Sequence, residues 1–531
     1  MSSLKESTIL FLKINGEKKM AVTRFAAIDI GSYNVSMEIF ELSARVGLKT
    51  LSRVRTSLDL GADTFDLKKV TTERLHELID ILNDFRRMMK DFNVTEYRAC
   101  AKSALREARN RDLILEAVYQ ETGIRIDVLS NPEQRFLTYK SIAACGDDFR
   151  KFIEKGTAII DLGGGSVQIS LFDKDALVAT QNIAIGSIRI REELESMERF
   201  ARHYDELVEE YISKDIQNFK RMYLKNRQIE NIILVGNYFT NLIFQNQNDT
   251  SKMESREEFM AWYDSLIRKN AADLTGELGA GSEIAHVVIP SAVVYKRMIE
   301  ELGASTIWLP GIQLTDGIAY DYADRHRIIH PAHNFEQDIL AEAKHISKRF
   351  AGDKTHTAYV MHMAETIFDA VKKTAGLTAR DKLLLKVAVL LYDCGKYVSL
   401  TNVGMAGYNI VMSTEIIGLS TSEREMIASI IRFNTESFIY YQEYEGRHLS
   451  RSEYLRIGRL TAILRLANAL DESHKMKVSV ISAEMKKTRL VIRVATKDDY
   501  TLEEGSFYKR QPFFNEIFCM DAELKVRKER N

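Results

Sequence analysis

Apolar and polar positions alternate with period two on either side of a short polar turn at two places in this chain. The run Ile159-Ile160-Asp161-Leu162 enters Gly163-Gly164-Gly165, and Ser166-Val167-Gln168-Ile169-Ser170-Leu171-Phe172 leaves it. That pattern predicts strand, tight turn and strand, a hairpin and not a helix start. An earlier stretch, Ala27-Ile28-Asp29-Ile30-Gly31-Ser32-Tyr33-Asn34-Val35-Ser36-Met37-Glu38-Ile39-Phe40, aligns with it on the aspartate. Val35 then matches Val167, Ile39 matches Leu171 and Phe40 matches Phe172. The repeat predicts two half-domains, each contributing one loop to a cleft.

Between and beyond the hairpins the periodicity changes. Leu75, Leu78, Ile79, Leu82 and Phe85 fall three and four apart and predict a helix over Thr71 to Phe92, with Arg86, Arg87 and Lys90 toward the end that suits the helix dipole. Ser52 to Leu67 reads as strand and loop. Tyr97 to Ala101 reads as a short buried strand, followed by a helix that Ser103 caps and that carries Arg106. Arg125 to Leu129 is a strand, and Ser130-Asn131-Pro132 turns into a helix beginning at Glu133. Ile232 to Gly236 is another buried strand. Tyr322 to Phe335 is charged and reads as a linker. Helices are then expected at Ala341 to Phe350, His356 to Thr374, Ala379 to Tyr392, Thr421 to Phe433 and Tyr454 to Ser473. Two strands, at Val478 to Ile481 and Leu490 to Val494, and an amphipathic segment through Phe513 to Phe518 complete the chain.

At 531 residues there is room for three or four domains with proper cores, and 45% hydrophobic with 28% charged residues describes an ordinary globular protein. Lys and Arg number 74 against 75 Asp and Glu, a formal net charge of −1, so a polyanion would need a local basic groove. This balance argues against bulk nucleic-acid binding and says nothing about a site; no specific nucleic-acid partner is expected. The four cysteines, Cys100, Cys145, Cys394 and Cys519, show no metal spacing and read as reduced thiols in a cytoplasm. No apolar run reaches the roughly 18 residues of a membrane span. Ser7 to Leu12 is too short for a secretory signal, and Met20 precedes the first strand, so residues 1–20 read as an extension, with 1–19 dispensable.

Successive glycines let backbone N–H groups turn toward one anion with no Cβ in the way, which suits phosphate, and Asp161 at the mouth of the turn can hold a metal ion or water. A hairpin with a permissive turn explains the same residues. In order and spacing, Asp29-Ile30-Gly31-Ser32, Ser103-Ala104-Leu105-Arg106-Glu107-Ala108, Leu129-Ser130-Asn131-Pro132-Glu133-Gln134 and Asp161 to Gln168 resemble the Ppx/GppA family of exopolyphosphatases and guanosine pentaphosphate phosphohydrolases. The resemblance implies an α/β fold: two actin/Hsp70-like (ribonuclease H-like) half-domains at 21–143 and 144–322, an all-α HD-like domain at 335–475, and a small α+β domain at 476–531. It implies hydrolysis of a terminal phosphoanhydride of inorganic polyphosphate or pppGpp in the interdomain cleft. Asp29 and Asp161 would flank Mg²⁺. Gly31, Ser32, Gly163, Gly164, Gly165 and Ser166 would cradle phosphate, and Arg106 would neutralise its charge. The implied partners are polyphosphate or guanosine penta/tetraphosphate and a second copy of the chain, with no membrane.

Several positions depart from the family pattern. Its Ser-Gly-x-Glu-Glu run supplies the catalytic base from the second Glu, where this chain has Gln134. Glu133 keeps the first carboxylate, but a helix neighbour points roughly 100° away. The family's Ser-x-Glu is here Ser166-Val167-Gln168, and an amide neither takes a proton at neutral pH nor holds Mg²⁺ well. Lys102 stands near a small or hydroxyl residue of the family; facing the cleft it adds charge beside Arg106, and otherwise it points to solvent. Tyr238 and Phe239, in Gly236-Asn237-Tyr238-Phe239-Thr240, occupy a stretch the family keeps small. Val287 to Ala292 and Leu314-Thr315-Asp316-Gly317 match the family's closing strand-and-helix segment, with Ser291 for a usual glycine, and Asp316-Gly317 reads equally well as a surface turn. In the HD-like region His356 and Asp393 fit metal-ligand positions, whereas Tyr392 and Asn468 replace two others, so no metal is expected there and the domain reads as a scaffold or dimer surface. His345 and His362 read as helix-face residues. Lys486, Lys487, Lys525, Arg527 and Lys528 line a polyanion path or form a solvated face. Two readings stay open: a phosphatase whose base is Glu133 or another carboxylate, and a phosphate-chain-binding regulatory protein without the chemistry.

Overall fold

The computed structural model describes residues 22–32, 34–236, 252–269, 282–331, 333–444 and 449–528. The expected N-terminal extension, Tyr33 and the run Asn237 to Thr240 lie outside them.

The chain opens with strands β1 (Thr23–Ile30), β2 (Asn34–Ser43) and β3 (Gly47–Ser57), joined as an antiparallel meander, and adds β4 (Glu96–Ala101) and β5 (Ile126–Val128) in parallel. The sheet order is β3-β2-β1-β4-β5. β1 and β2 are nearly continuous apolar runs and are buried along most of their length, as strands covered on both faces must be. Leu60–Leu67 is a helix, α1, where the mixed composition suggested a loop. α2 (Thr72–Asp91) starts at Thr71, whose side chain accepts from the Arg74 N–H, and buries Leu78, Leu82, Phe85 and Met89. Further helices follow: α3 (Ser103–Glu107), α4 (Arg111–Thr122), α5 (Asn131–Ala143) and a short one at Asp147–Ile153.

The second hairpin consists of β6 (Thr157–Leu162) and β7 (Val167–Asp173), and β8 (Ala176–Ile183) continues it antiparallel. α6 (Ser187–Glu198) and α7 (Tyr204–Phe219) come next, the latter running into a π-helical turn at Lys220–Leu224. β9 (Asn231–Val235) pairs in parallel with a later strand, β11 (Thr306–Leu309), which also pairs antiparallel with β10 (Lys252–Ser255). Arg256–Ile267 is α8, Ser282–Leu302 is α9 and Leu314–Arg325 is α10. The stretch Val287 to Ala292, expected to open on a strand, is wholly helical within α9. Helix α10 also runs into the segment read as a linker.

The C-terminal half contains helices α11 (Phe335–Arg349), α12 (Lys354–Val371), α13 (Ala379–Leu391), α14 (Val403–Met412), α15 (Thr421–Thr435) and α16 (Arg451–Ala469). Their apolar faces meet in one core that includes Val360, Leu385, Ile430 and Leu464. A small sheet ends the fold: β12 (Val478–Lys486) antiparallel to β13 (Arg489–Thr496), then helix α17 (Thr501–Phe518) crossing to β14 (Asp521–Lys528), parallel to β13. α14 was absent from the sequence reading because glycine is a poor helix former. Here glycine is required: a Cβ on Gly407 would sit 2.7 Å from the Ile431 side chain.

The described chain divides into two compact units. One comprises Met1–Phe152, Asn231–Lys296 and Ala304–His333; the other comprises Ile153–Glu230, Arg297–Gly303 and Asn334–Asn531. Among the described residues no helix is long and apolar enough to cross a membrane.

Candidate functional site

In the first unit Asp29 pairs with Ser36 across the hairpin, and the Gly31 N–H donates to the Asn34 carbonyl at 2.9 Å to close the turn. β4 lies alongside β1, so its end brings Lys102 to the same place, and the Lys102 N–H donates to the Ile30 carbonyl. The Lys102 ammonium donates to Asp29 Oδ2 at 2.9 Å, and both residues are only 8% exposed. Lys102 therefore faces the Asp29 carboxylate and not solvent. Its ammonium also covers the turn, lying 3.5 Å from where a Cβ on Gly31 would be. Asp29 Oδ1 is buried with no hydrogen-bond partner among the described residues.

Beyond this pair, Ser32 Oγ and Ser103 Oγ are 3.2 Å apart. Ser103 is the first helical residue of α3 and not its cap, because Lys102 occupies the capping position. Arg106 donates to the Leu129 carbonyl at 2.9 Å, which aims its guanidinium. Burial holds the Arg106 pKa below the ordinary value, Glu107 opposes this, and the charge of Arg135 adds to it. Arg55 lies opposite Ser36 in the ladder; burial lowers its pKa while the charge of Asp29 pulls it back up. Lys102, Arg55, Arg106 and Arg135 thus bring four cationic side chains to this part of the first unit, beside the carboxylates of Asp29 and Glu107.

Glu133 and Gln134 open α5. Ser130 is its N-cap: Glu133 Oε2 accepts from the Ser130 N–H at 3.0 Å and the Ser130 hydroxyl at 2.6 Å, and the Glu133 N–H returns to Ser130 Oγ. In this capping box one oxygen of the Glu133 carboxylate serves the helix start. The helix also begins two residues earlier than expected, at Asn131. The Ser-x-x-Glu spacing was itself the signal that could have found it.

In the second unit the same hairpin recurs. Asp161 pairs with Gln168, and the Gly163 N–H donates to the Ser166 carbonyl at 3.0 Å. The three glycine carbonyls all face the start of α6: Gly163 accepts from the Ser187 N–H, Gly164 from the Ile188 and Arg189 N–H groups, and Gly165 from Arg189 Nε. Gly186 permits this approach, because a Cβ there would fall 2.2 Å from the Ser166 nitrogen. All three glycine carbonyls of the turn are thereby committed to α6. Gln168 is 4% exposed, and its Oε1 has no partner among the described residues.

Asp316, Gly317, His356 and Asp393 are each tied into their surroundings. Asp316 and Gly317 are not a surface turn: they lie in α10, where Asp316 Oδ2 accepts from the Gln313 N–H at 2.8 Å, and a Cβ on Gly317 would fall 1.9 Å from the Leu137 carbonyl. Burial pushes the Asp316 carboxyl up to about 6, with the charge of Glu38 adding to it. Glu38 is buried, paired with Arg53 at 2.8 Å and bonded by the Thr315 hydroxyl at 2.9 Å. In the helical half His356 Nδ1 is 2.7 Å from Asp471 Oδ2 and Nε2 is 2.6 Å from the Tyr392 hydroxyl. A carboxylate only accepts, so Nδ1 carries the proton toward Asp471 and Nε2 accepts from Tyr392. The His474 ring stacks on His356 at 3.5 Å. Asp471 and not Asn468 is the residue that meets His356, and Asp393 pairs with Lys396. Among the described residues no group of three His, Cys, Asp or Glu side chains is placed to hold a metal ion.

Comparison with known proteins gives matches along most of the chain. The Ppx/GppA phosphatase family matches residues 39–326, and domain III of the same family matches 341–511. A guanosine-5'-triphosphate,3'-diphosphate pyrophosphatase of Photobacterium profundum is 23% identical over 494 residues, 87% of this chain and 90% of that one. Its counterpart in Vibrio atlanticus is 21% identical over 466 residues, covering 85% and 89%. Among solved structures, the Aquifex aeolicus Ppx/GppA family member covers 58% of this chain and 99% of its own at 19% identity, with a TM-score of 0.46.

Proposed function

The chain belongs to the Ppx/GppA phosphatase family, and from that premise we propose that it binds the terminal phosphates of pppGpp or inorganic polyphosphate and hydrolyses the terminal phosphoanhydride only slowly. In the first unit binding draws on Lys102 and Arg106 and on the Gly31-Ser32 turn; in the second, the glycine turn at Gly163 to Ser166 is a phosphate-binding candidate by itself. Each supplies donors or positive charge to phosphate oxygens, and Arg106 offsets charge as it moves toward the leaving group.

Hydrolysis additionally requires a group that takes a proton from the attacking water. The observation that carries this reading is that Gln134 and Gln168 are amides, while Glu133, the adjacent carboxylate, is held by Ser130. Loss of a general base typically lowers a rate by about 10²–10⁴-fold, while phosphate contacts survive it. The protein then acts as a reader of phosphate chains within the cytoplasm.

A hydrolase of ordinary rate is the second reading, favoured by the likeness to guanosine-5'-triphosphate,3'-diphosphate pyrophosphatases over 87% of the chain. Phosphate release from pppGpp and from long-chain polyphosphate, measured beside equilibrium binding of each, separates the two. We expect binding with little release, and at least a tenfold gain in release in the double variant Gln134→Glu, Gln168→Glu. Release at ordinary enzymatic rates by the unmodified protein would establish the second reading.

A further inference from the structure

The family's reading of Asp29 as a ligand for Mg²⁺ does not fit the residues around it. One carboxylate oxygen, Oδ2, already accepts from the Lys102 ammonium at 2.9 Å, the two side chains are 11% and 10% exposed, and an ion on the other oxygen, Oδ1, would share the same carboxylate with that ammonium. A divalent cation on this carboxylate would stand a few ångströms from a fixed positive charge in a region shielded from water, where like charges repel strongly. The cross-strand neighbour is Ser36, not a second carboxylate, and Arg55 opposite it adds another positive charge.

The ammonium is nevertheless well placed for the work of a metal ion. It lies over the Gly31 turn, 3.5 Å from where a Cβ would be, and Ser32 and Ser103, the residues that follow Gly31 and Lys102, bring their hydroxyls within 3.2 Å of each other. Asp29 holds it by one contact, and an ammonium has three protons to donate. Lys102 is fixed at its backbone by the bond to Ile30 and at its tip by Asp29, so it offers an oriented charge without having to be ordered on binding.

We propose that Lys102 is a resident cation that takes the place of the divalent ion at Asp29, so that this half of the site binds a phosphate chain without metal. The proposal rests on the phosphate-binding reading above and names the group that compensates the phosphate charge.

Two measurements on the full-length protein test it. The first is Mn²⁺ binding, followed by electron paramagnetic resonance with no phosphate present. The unmodified protein should show no Mn²⁺ site that Asp29→Asn abolishes, whereas Lys102→Ser should gain one. An Asp29-dependent Mn²⁺ site in the unmodified protein overturns the proposal. The second is tripolyphosphate binding in excess EDTA. The unmodified protein should bind as tightly there as with Mg²⁺, and Lys102→Ser should lose at least tenfold in EDTA and recover part of it with Mg²⁺. Tripolyphosphate binding that needs Mg²⁺ in the unmodified protein also overturns it. Where Lys102→Ser fails to fold, the neutral pair Asp29→Asn, Lys102→Met serves instead; it should lose binding in EDTA and not recover with Mg²⁺, and unchanged binding would overturn the proposal. If tripolyphosphate binds under no condition, the phosphate reading fails, while the Mn²⁺ arm still decides what Lys102 does to metal.

Discussion

From Asp29 to Phe40 the backbone repeats the figure it makes from Asp161 to Phe172. The aspartate pairs with the residue seven ahead, Ser36 or Gln168, and the same N–H, Gly31 or Gly163, closes the turn. Even the irregularity recurs: the ladder to the third strand slips between Ile39 and Phe40 in one copy and between Leu171 and Phe172 in the other. The chemistry laid on that figure differs. The first copy is charged inside, with Asp29 on Lys102 and Glu38 on Arg53. In the second, Gln168 stands at the place of Ser36, and Ser170, at the place of Glu38, bonds Thr180 at 3.2 Å. Alternation of buried apolar residues sets register, so the polar positions between them are free to take different roles. One copy has become a charge-compensating wall and the other a backbone turn braced by a helix.

The sharpest way to break this comparison is to remove both aspartates in turn. Asp29→Ala leaves the Lys102 ammonium buried and unpaired, a defect of about 3–5 kcal/mol. Asp161→Ala touches a less buried carboxylate and should cost far less. Chemical denaturation of the two variants reads the difference, and equal losses would mean that the first copy is no more dependent on charge than the second.

Backbone packing should show the opposite asymmetry. Gly186→Ala drives a methyl group within 2.3 Å of the Gly164 carbonyl and should cost about 1–3 kcal/mol, and phosphate binding should weaken with it. Gly31→Ala meets its nearest backbone atom at 3.1 Å and should fall below that range. The measurement is again denaturation, beside tripolyphosphate affinity.

The smallest effect concerns pH. Unfolded, Asp316 loses its proton near 3.8; folded, it holds it up to about 6, through burial and then Glu38. Between those values the folded state binds more protons, so this contribution is present below about 4 and is lost as pH rises through 6. Allowing for solvent screening of a half-buried carboxyl, the change should be about 1 kcal/mol. It should flatten in Asp316→Asn and in Glu38→Ser, which imports the residue of the second copy. A pH series of denaturation midpoints checks it.

Much of this architecture was legible in the pattern of the chain. The two hairpins followed from alternation and from the match of Val35, Ile39 and Phe40 to Val167, Leu171 and Phe172. Helix α2 followed from Leu78, Leu82 and Phe85. The Lys102 pairing was not legible, because it joins residues 73 apart that meet only where β4 runs parallel to β1. Nor was the bracing of the glycine turn, since backbone carbonyls leave no mark in side-chain patterns. Glu133 differs: Ser130 and Glu133 stood at capping-box spacing, and the family motif drew attention away from it. Val287 to Pro290 looked like a strand because its β-branched residues crowd together, and burial within α9 overrides that local preference.

Tyr392 closes the ring of contacts around His356 in the helical half. Its hydroxyl meets His356 Nε2 at 2.6 Å while Asp471 holds Nδ1 and His474 lies flat on the ring. Each nitrogen of the imidazole is thereby satisfied within the protein. Shrinking Tyr392 alone would open a hole in the core and leave Nε2 without its partner, so the tyrosine acts as a latch that ties α12 to the end of α13.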